Sequence, residues 1–230
     1  GAPPPTRTIE RCETELGWGF VQIYGLTETA PLLTMNRGRE EWDDLSSADR
    51  ATMLNRAGAP VVGCTMDISA DGEVLARGNM IMEGYWEQPE ATQASIPNDF
   101  FHTGDGGHID EANYVTISDR KKDVIISGGD NVSSIEVEDA IFQHPDVAEV
   151  AVIGIPDEKW GELVTALVVT TPGSSLTEDD VIAWTKKKLA GYKCPKKVDF
   201  RDELARTATA KLQKFKLREQ YWAGHDRQVN

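Results

Sequence analysis

The sequence predicts a mixed fold of α/β and α+β class: a first part that includes a small β subdomain, then a compact α+β domain. Three observations carry this. After Arg120 the elements run β-α-β-β-α-β through the last 110 of 230 residues. Between Val61 and Ile117, short apolar runs alternate with turn signals. Helix signals recur along the chain: caps at Ser46 and Ser133, and stops at Pro145 and Gly191.

Taken in order, residues 7–16, RTIERCETEL, set Ile9, Cys12 and Leu16 near helical spacing with charges between, as an amphipathic helix requires. WGFVQIYG is an apolar run with β-branched and aromatic residues that ends at Gly25, which reads as a short buried strand delivering a turn. SSADRATMLN, from Ser46, reads as a capped helix. In the β subdomain GEVLARG and NYVTI are strands, and ADGE, TGDGG and DEAN are turns. KDVIISGGDN is a strand ending in two glycines. SSIEVEDAIFQHP opens a helix, with Ser133 and Glu136 at capping-box spacing and Pro145 as its stop. VAEVAVIGIP and LVTALVVT are strongly apolar strands. TEDDVIAWTKKKLAG is a helix with acids in its first turn, lysines in its last and Gly191 as its stop, matching the macrodipole.

Hydrophobic residues make up 40% and charged residues 27%, which is ordinary for a folded globular chain. The formal net charge of -14 argues against a general nucleic-acid binder and against docking on an anionic membrane. Cys12, Cys64 and Cys194 form no CxxC and no disulfide framework, so a reducing compartment, the cytoplasm, is expected. Neither a bilayer-spanning apolar run nor a signal peptide is expected. The opening GAPPPTRTIERCE lacks an initiator methionine and reads as mid-protein sequence, so a fragment is expected. Charge is uneven: Lys186 to Arg218 holds twelve Lys or Arg against three acids. That run is either a solvated basic face or a patch that attracts a polyanionic small molecule.

Several familiar chemistries are missing from the sequence: GxxxxGK[ST], GxGxxG, GxSxG, and any metal-ligand spacing among the four histidines. What remains is polar residues at strand ends. Thr27 and Glu28 follow a strand and a glycine, where a hydroxyl and a carboxylate suit a phosphate oxygen and Mg²⁺, or else form a helix N-cap. Asp105 lies in a Gly-flanked turn and suits a ribose diol, or else is a hairpin aspartate. Arg120 can donate to ribose or phosphate, and Gly128 and Gly129 allow close backbone approach, or else the segment is a polar linker and turn. Lys211 follows the small residues Thr207, Ala208, Thr209 and Ala210, and alone reads as a solvated lysine.

The set and its order resemble the C-terminal portion of the adenylate-forming (AMP-binding) acyl-CoA synthetase superfamily, most like fatty-acyl and medium-chain acyl-CoA synthetases. The matching stretches are QIYGLTETAP (22–31), GYWEQPEAT (84–92), FFHTGDGGHID (100–110), DRKKDVIISGGDNVSSIEVE (119–138), VAEVAVIGIPDEKWGE (147–162) and YKCPKKVDFRDELARTATAKLQKFKLRE (192–219). The resemblance implies the end of the large adenylation domain at 1–119 and a small mobile C-terminal domain at 120–230. It implies a two-step ligase: a carboxylic acid, expected to be a fatty acid, attacks the α-phosphate of Mg·ATP to give acyl-AMP, and CoA then displaces AMP.

The resemblance also implies roles. Gly1, Ala2, Tyr24 and Gly25 would line the adenine site, Thr27 would hold phosphate and Glu28 the magnesium. Asp105 would hold the ribose with Arg120 assisting, and Lys122 would be the hinge. Ser127, Gly128 and Gly129 would approach CoA, and Lys211 would be the catalytic lysine of adenylation. The expected partners are a carboxylic acid, ATP and CoA, with no nucleic acid and no membrane span; a homo-oligomer is allowed. The chain departs from the pattern at Ala210, where the family has glycine, at Ala205 for a usual proline, and at Asp130 for a usual glutamate. The family's phosphate loop and most of its acyl pocket are expected upstream, so the chain alone is expected to be inactive in adenylation. Transfer to a carrier-protein thiol, or a non-catalytic nucleotide- or CoA-binding module, are the alternatives.

Overall fold

The computed structural model describes residues 4–208 and 212–224. These fall into two units that divide between Lys121 and Lys122.

The first unit opens with α1 (Thr6–Thr14), which lays Ile9 against α2 (Ser47–Asn55), where Ala51 and Leu54 are fully buried. Helix α2 starts where Ser46 caps it, its hydroxyl accepting from the Asp49 N–H at 3.1 Å. Strands β1 (Val21–Tyr24), β2 (Thr34–Arg37) and β3 (Ala59–Pro60) form an antiparallel sheet in that order. Trp42 and Tyr114 complete the cluster around Ile9, and the Arg56 guanidinium stacks on the Tyr114 ring 4.2 Å from its centroid while pairing with Asp110 at 2.8 Å.

Strand β1 corrects the expectation of a buried strand: Val21 and Ile23 are 52% and 57% exposed. Its apolar character marks one face of a two-faced ribbon, and the residues that turn inward are Gln22 and Tyr24.

The β subdomain is an antiparallel meander, β4 (Cys64–Ile68), β5 (Glu73–Gly78), β6 (Phe101–Ile109) and β7 (Val115–Arg120), with α3 (Pro89–Ser95) between β5 and β6. ADGE and DEAN turn two of its hairpins. TGDGG does not turn. It is the interior of β6, where the glycines leave room for a register shift between Gly106 and Gly107, and Asp105 pairs with Arg120.

The second unit opens with β8 (Ile125–Ser127) and β9 (Asp130–Val132), a hairpin turned by Gly128 and Gly129 at φ +63° and +91°. Helix α4 (Ser134–Phe142) is capped by Ser133, which accepts from the Glu136 N–H at 3.3 Å. The Glu136 carboxylate meanwhile holds Lys193 at 2.7 Å. Strands β10 (Val147–Asp157) and β11 (Gly161–Thr170) form a long antiparallel pair, and β12 (Lys197–Phe200) runs parallel to β11. The expected order holds, with β9 and a last helix added.

Helix α5 (Glu178–Lys186) has a complete capping box at Thr177 and Asp180, and it ends at Lys186, short of Gly191. Helix α6 (Lys214–Trp222) closes the unit. The β10–β11 pair is covered on both faces. Val152, Val164, Ala166 and Val168 share one core with α4 and α5 residues Val137, Ile141 and Val181, while Ala151, Ile153, Ile155 and Leu167 share another with Leu204 and Leu217. A sheet buried on both sides needs apolar residues at successive positions, which is why these strands read as unbroken apolar runs.

Candidate nucleotide-binding site

Strand β1 ends at Tyr24, and Gly25 makes the turn possible. A Cβ on Gly25 would lie 1.8 Å from the Pro31 carbonyl oxygen, so no other residue fits without moving backbone. Residues 27–29 then form one 3₁₀ turn. Thr29, fully buried, ties it: its hydroxyl accepts from the Leu26 N–H and donates to the Leu26 carbonyl, both at 2.9 Å. Ala30 leaves the turn in the left-handed region at φ 51°. The result exposes Thr27 and half-buries Glu28. The helix N-cap alternative fails here, since the capping position is Leu26 and no α-helix follows.

Glu28 is held from the β subdomain. Its backbone carbonyl accepts from the Met82 N–H at 2.8 Å, and its Oε1 accepts from the Tyr85 hydroxyl at 3.1 Å. Burial and this bond to a carboxylate raise the Tyr85 pKa. Glu28 Oε2 has no protein partner among the described residues. One carboxylate beside an exposed hydroxyl suits a Mg²⁺ that arrives on a phosphate chain, because this ion keeps several waters and takes one or two carboxylates. Among the described residues, no group of three or more His, Cys, Asp or Glu converges to hold a resident metal.

Asp105 gathers the rest. The Tyr24 hydroxyl donates to its Oδ2 at 2.9 Å, and Arg120 Nε stands 3.8 Å from its Oδ1. The side chain is only 14% exposed. Burial pushes the Asp105 carboxyl above the usual carboxylate range, against the lowering effects of Tyr24 and Arg120. Burial, then the Asp105 charge, push the Tyr24 phenol up. Tyr24 therefore stays a donor. A carboxylate with two oxygens and about four acceptor sites, only one of them taken by Tyr24, retains capacity for a pair of hydroxyls.

In the second unit, Ser127 is buried at the end of β8, and the Gly128 N–H donates to the Trp160 carbonyl at 2.8 Å. The Trp160 ring lies 2.8 Å from where a Gly128 Cβ would be. The segment leading to Lys211 is pinned at its base: Arg206 and Leu212 form an antiparallel bridge, and the Gln213 N–H donates to the Ala205 carbonyl at 2.8 Å. Lys214 is nearly buried and donates to Ser134 Oγ at 2.5 Å and Glu138 Oε1 at 2.7 Å.

The structure thus brings Tyr24, Asp105 and Arg120 together and places Glu28 and Thr27 on the loop that follows Tyr24. Lys122 is the first residue past the division between units. Gly1, Ala2 and Lys211 lie outside the described residues. The basic run is corrected in one respect. Lys193, Arg206, Lys214 and Arg218 pair with Glu136, Glu149, Glu138 and Asp123, and Lys197 and Arg201 share Asp199, so much of its charge is compensated. Sequence reading missed Tyr85 and Glu73; the only available signal for either was its place in a motif, GYWEQPEAT or GEVLARG.

Residues 1–86 match the family described as AMP-binding enzyme, and residues 136–211 match the AMP-binding enzyme C-terminal domain. The chain is 42% identical over 236 residues to a 2-methylpropanoate–CoA ligase of Humulus lupulus, a match covering 95% of this chain and 42% of the relative. It is similar to the ATP-bound MatB of Rhodopseudomonas palustris at a TM-score of 0.84 and 34% identity, covering 98% of this chain and 45% of that one. It is also similar to the o-succinylbenzoate CoA synthetase of Bacillus subtilis in complex with its acyl-adenylate, at 0.81 and 33%, covering 94% and 44%. The chain spans less than half the length of these relatives.

Proposed function

Because the chain belongs to the adenylate-forming superfamily of AMP-binding enzymes, we propose that it is the nucleotide end of the large adenylation domain (1–119) and the small mobile domain (120–230) of an AMP-forming acid–CoA ligase. The intact protein would activate a carboxylic acid with Mg·ATP and pass the acyl group to CoA. The observation that carries the reading is the Tyr24–Asp105–Arg120 cluster, a desolvated carboxylate with spare acceptor sites beside a tyrosine hydroxyl and a cation.

Asp105 accepts from the ribose hydroxyls, and Arg120 across the ladder assists it. Tyr24 presents its ring to adenine while its hydroxyl fixes Asp105. Gly25 lets the chain that follows Tyr24 pass close to the Pro31 carbonyl. Thr27 donates to a phosphate oxygen, and Glu28, steadied by Tyr85, holds the magnesium that ATP brings. Lys211 carries a positive charge to the α-phosphate, where the attack of one anion on another concentrates negative charge; such a preorganised charge is worth roughly 100-fold to 1000-fold in rate. Rotation about Lys122 exchanges Lys211 for the Ser127–Gly129 turn, whose glycines let the pantetheine arm of CoA approach.

The proposed acyl group is a fatty acid, on the motif set. The relatives named above include one for an aliphatic and one for an aromatic acid, so a carboxylate panel is needed. The three free cysteines support a reducing, cytoplasmic setting. Among the described residues, no helix is long and apolar enough to cross a membrane.

Acid-dependent ATP–pyrophosphate exchange tests the reading. The intact protein should exchange with at least one fatty acid and then form a thioester with CoA; this 230-residue chain alone should not exchange. Exchange by the chain alone would contradict the domain assignment. An intact protein inert with every acid would remove the ligase reading, and thioester formation on a carrier protein instead of CoA would change the acceptor.

A further inference from the structure

Glu73 is a buried carboxylate, 7% exposed, that the proposed chemistry leaves unused. Burying a charge is unfavourable unless donors surround it, and three do. The Gly104 N–H donates to Oε1 at 2.8 Å, His102 Nδ1 meets Oε2 at 3.0 Å, and Lys121 Nζ meets Oε2 at 3.3 Å. An ionised carboxylate only accepts, which assigns the proton of His102 to Nδ1. Burial raises the Glu73 pKa, but the bonds from His102, Gly104 and Lys121 outweigh it and hold the group below the usual range.

The positions of these donors matter more than their number. Gly104 immediately precedes Asp105 on β6, and Lys121 immediately follows Arg120 on β7. Asp105 and Arg120 are register partners, and the Lys121 N–H donates to the Gly104 carbonyl at 3.0 Å. One carboxylate on β5 therefore holds both strands at the residues flanking the pair. Packing does not do this at Gly104: the residue sits at φ +73°, and nothing lies within 4 Å of where its Cβ would be. The polar bonds fix the backbone there. Asp71 holds the other side of the Lys121 ammonium at 2.6 Å.

We infer that Glu73, acting through Gly104 and Lys121, is a positioning residue that sets Asp105 and Arg120 for the two ribose hydroxyls; the inference rests on the ribose reading above. A site built to bond a hydroxyl rejects the analogue that lacks it, and loses that rejection when its acceptor is misplaced.

The test compares kcat/KM for ATP against 2′-deoxy-ATP and 3′-deoxy-ATP, in pyrophosphate exchange by the intact protein. Each ratio is taken within one preparation, so partial unfolding cancels. Glu73→Gln should lower the preference for ATP by up to about tenfold, the net worth of one hydrogen bond, with the KM for the acid unchanged. Lys121→Met should lower it in the same direction, and supplies the readout if Glu73→Gln folds poorly. The double variant with Asp105→Asn should fall no further than Asp105→Asn alone. If Asp105→Asn loses the preference while Glu73→Gln and Lys121→Met keep it, the inference is overturned and the ribose reading stands. If Asp105→Asn keeps the preference, both fall.

Discussion

The Tyr24 hydroxyl donates to Asp105 across 81 residues of sequence, at 2.9 Å. This bond joins the end of β1 to the middle of β6, and so links the loop bearing Thr27 and Glu28 to the carboxylate proposed for the ribose.

Asp105 carries a cost that the proposed ribose role would explain. Because burial raises its folded pKa above the unfolded value, its contribution to stability is present below the unfolded pKa, about 3.9, and is lost as pH rises through the folded pKa. At neutral pH the ionised group therefore destabilises the ligand-free fold. Asp105→Asn should raise Tm at pH 7, with the gain vanishing below about pH 4, while nucleotide affinity drops roughly 10-fold to 100-fold for loss of a charged hydrogen-bond acceptor. Thermal melts across pH and a calorimetric AMP titration check both; a lower Tm at neutral pH would contradict the burial argument.

Gly25→Ala should be severe. The new methyl group meets the Pro31 carbonyl oxygen at 1.8 Å, and backbone cannot yield cheaply. A loss of about 2–4 kcal/mol is expected from such strain, with the 27–29 turn displaced. Denaturant melts report the first effect and pyrophosphate exchange the second. A variant with wild-type stability would mean that the turn relaxes freely.

Lys214 anchors the first turn of α6 to α4. Its pair with Glu138 is 13% and 16% exposed, and Glu138 also accepts from the Val152 N–H at 2.7 Å. Lys214→Met removes a nearly buried ammonium that bonds both Ser134 Oγ and Glu138 Oε1, and losing these charge-assisted bonds should cost about 1–3 kcal/mol. Urea denaturation measures this. Wild-type stability in the variant would mean that this anchor contributes nothing to the fold.

Lys211→Ala in the intact protein should reduce adenylation by about 100-fold to 1000-fold and spare thioester formation from supplied acyl-adenylate. Single-turnover assays of the two half-reactions decide it. Equal loss in both would remove the assigned role.

Much of this was legible locally. Ser46 and Ser133 each cap the helix announced at their positions, and the helix read from TEDDVIAWTKKKLAG is present, capped by Thr177. The unbroken apolar runs of β10 and β11 reflect burial on both faces. Other features misled for a physical reason. TGDGG has the composition of a turn, yet its glycines serve a strand with a register shift. WGFVQIYG has the composition of a buried strand, yet the apolar side chains Val21 and Ile23 face outward. Composition reports what a residue tolerates, and only the pairing partner decides which tolerance is used.

The amino-acid sequence by itself determined the order of most elements, the caps at Ser46 and Ser133 and the types of side chain available for nucleotide chemistry, because these depend on neighbours within a few positions. The tertiary structure decided which charges are neutralised and which remain available. It set Arg206 against Glu149, drew three donors onto Glu73, and left Asp105 with acceptor sites to spare. Those outcomes depend on groups tens of residues apart meeting within about 3 Å, the range over which hydrogen bonds act, and no local pattern encodes that distance.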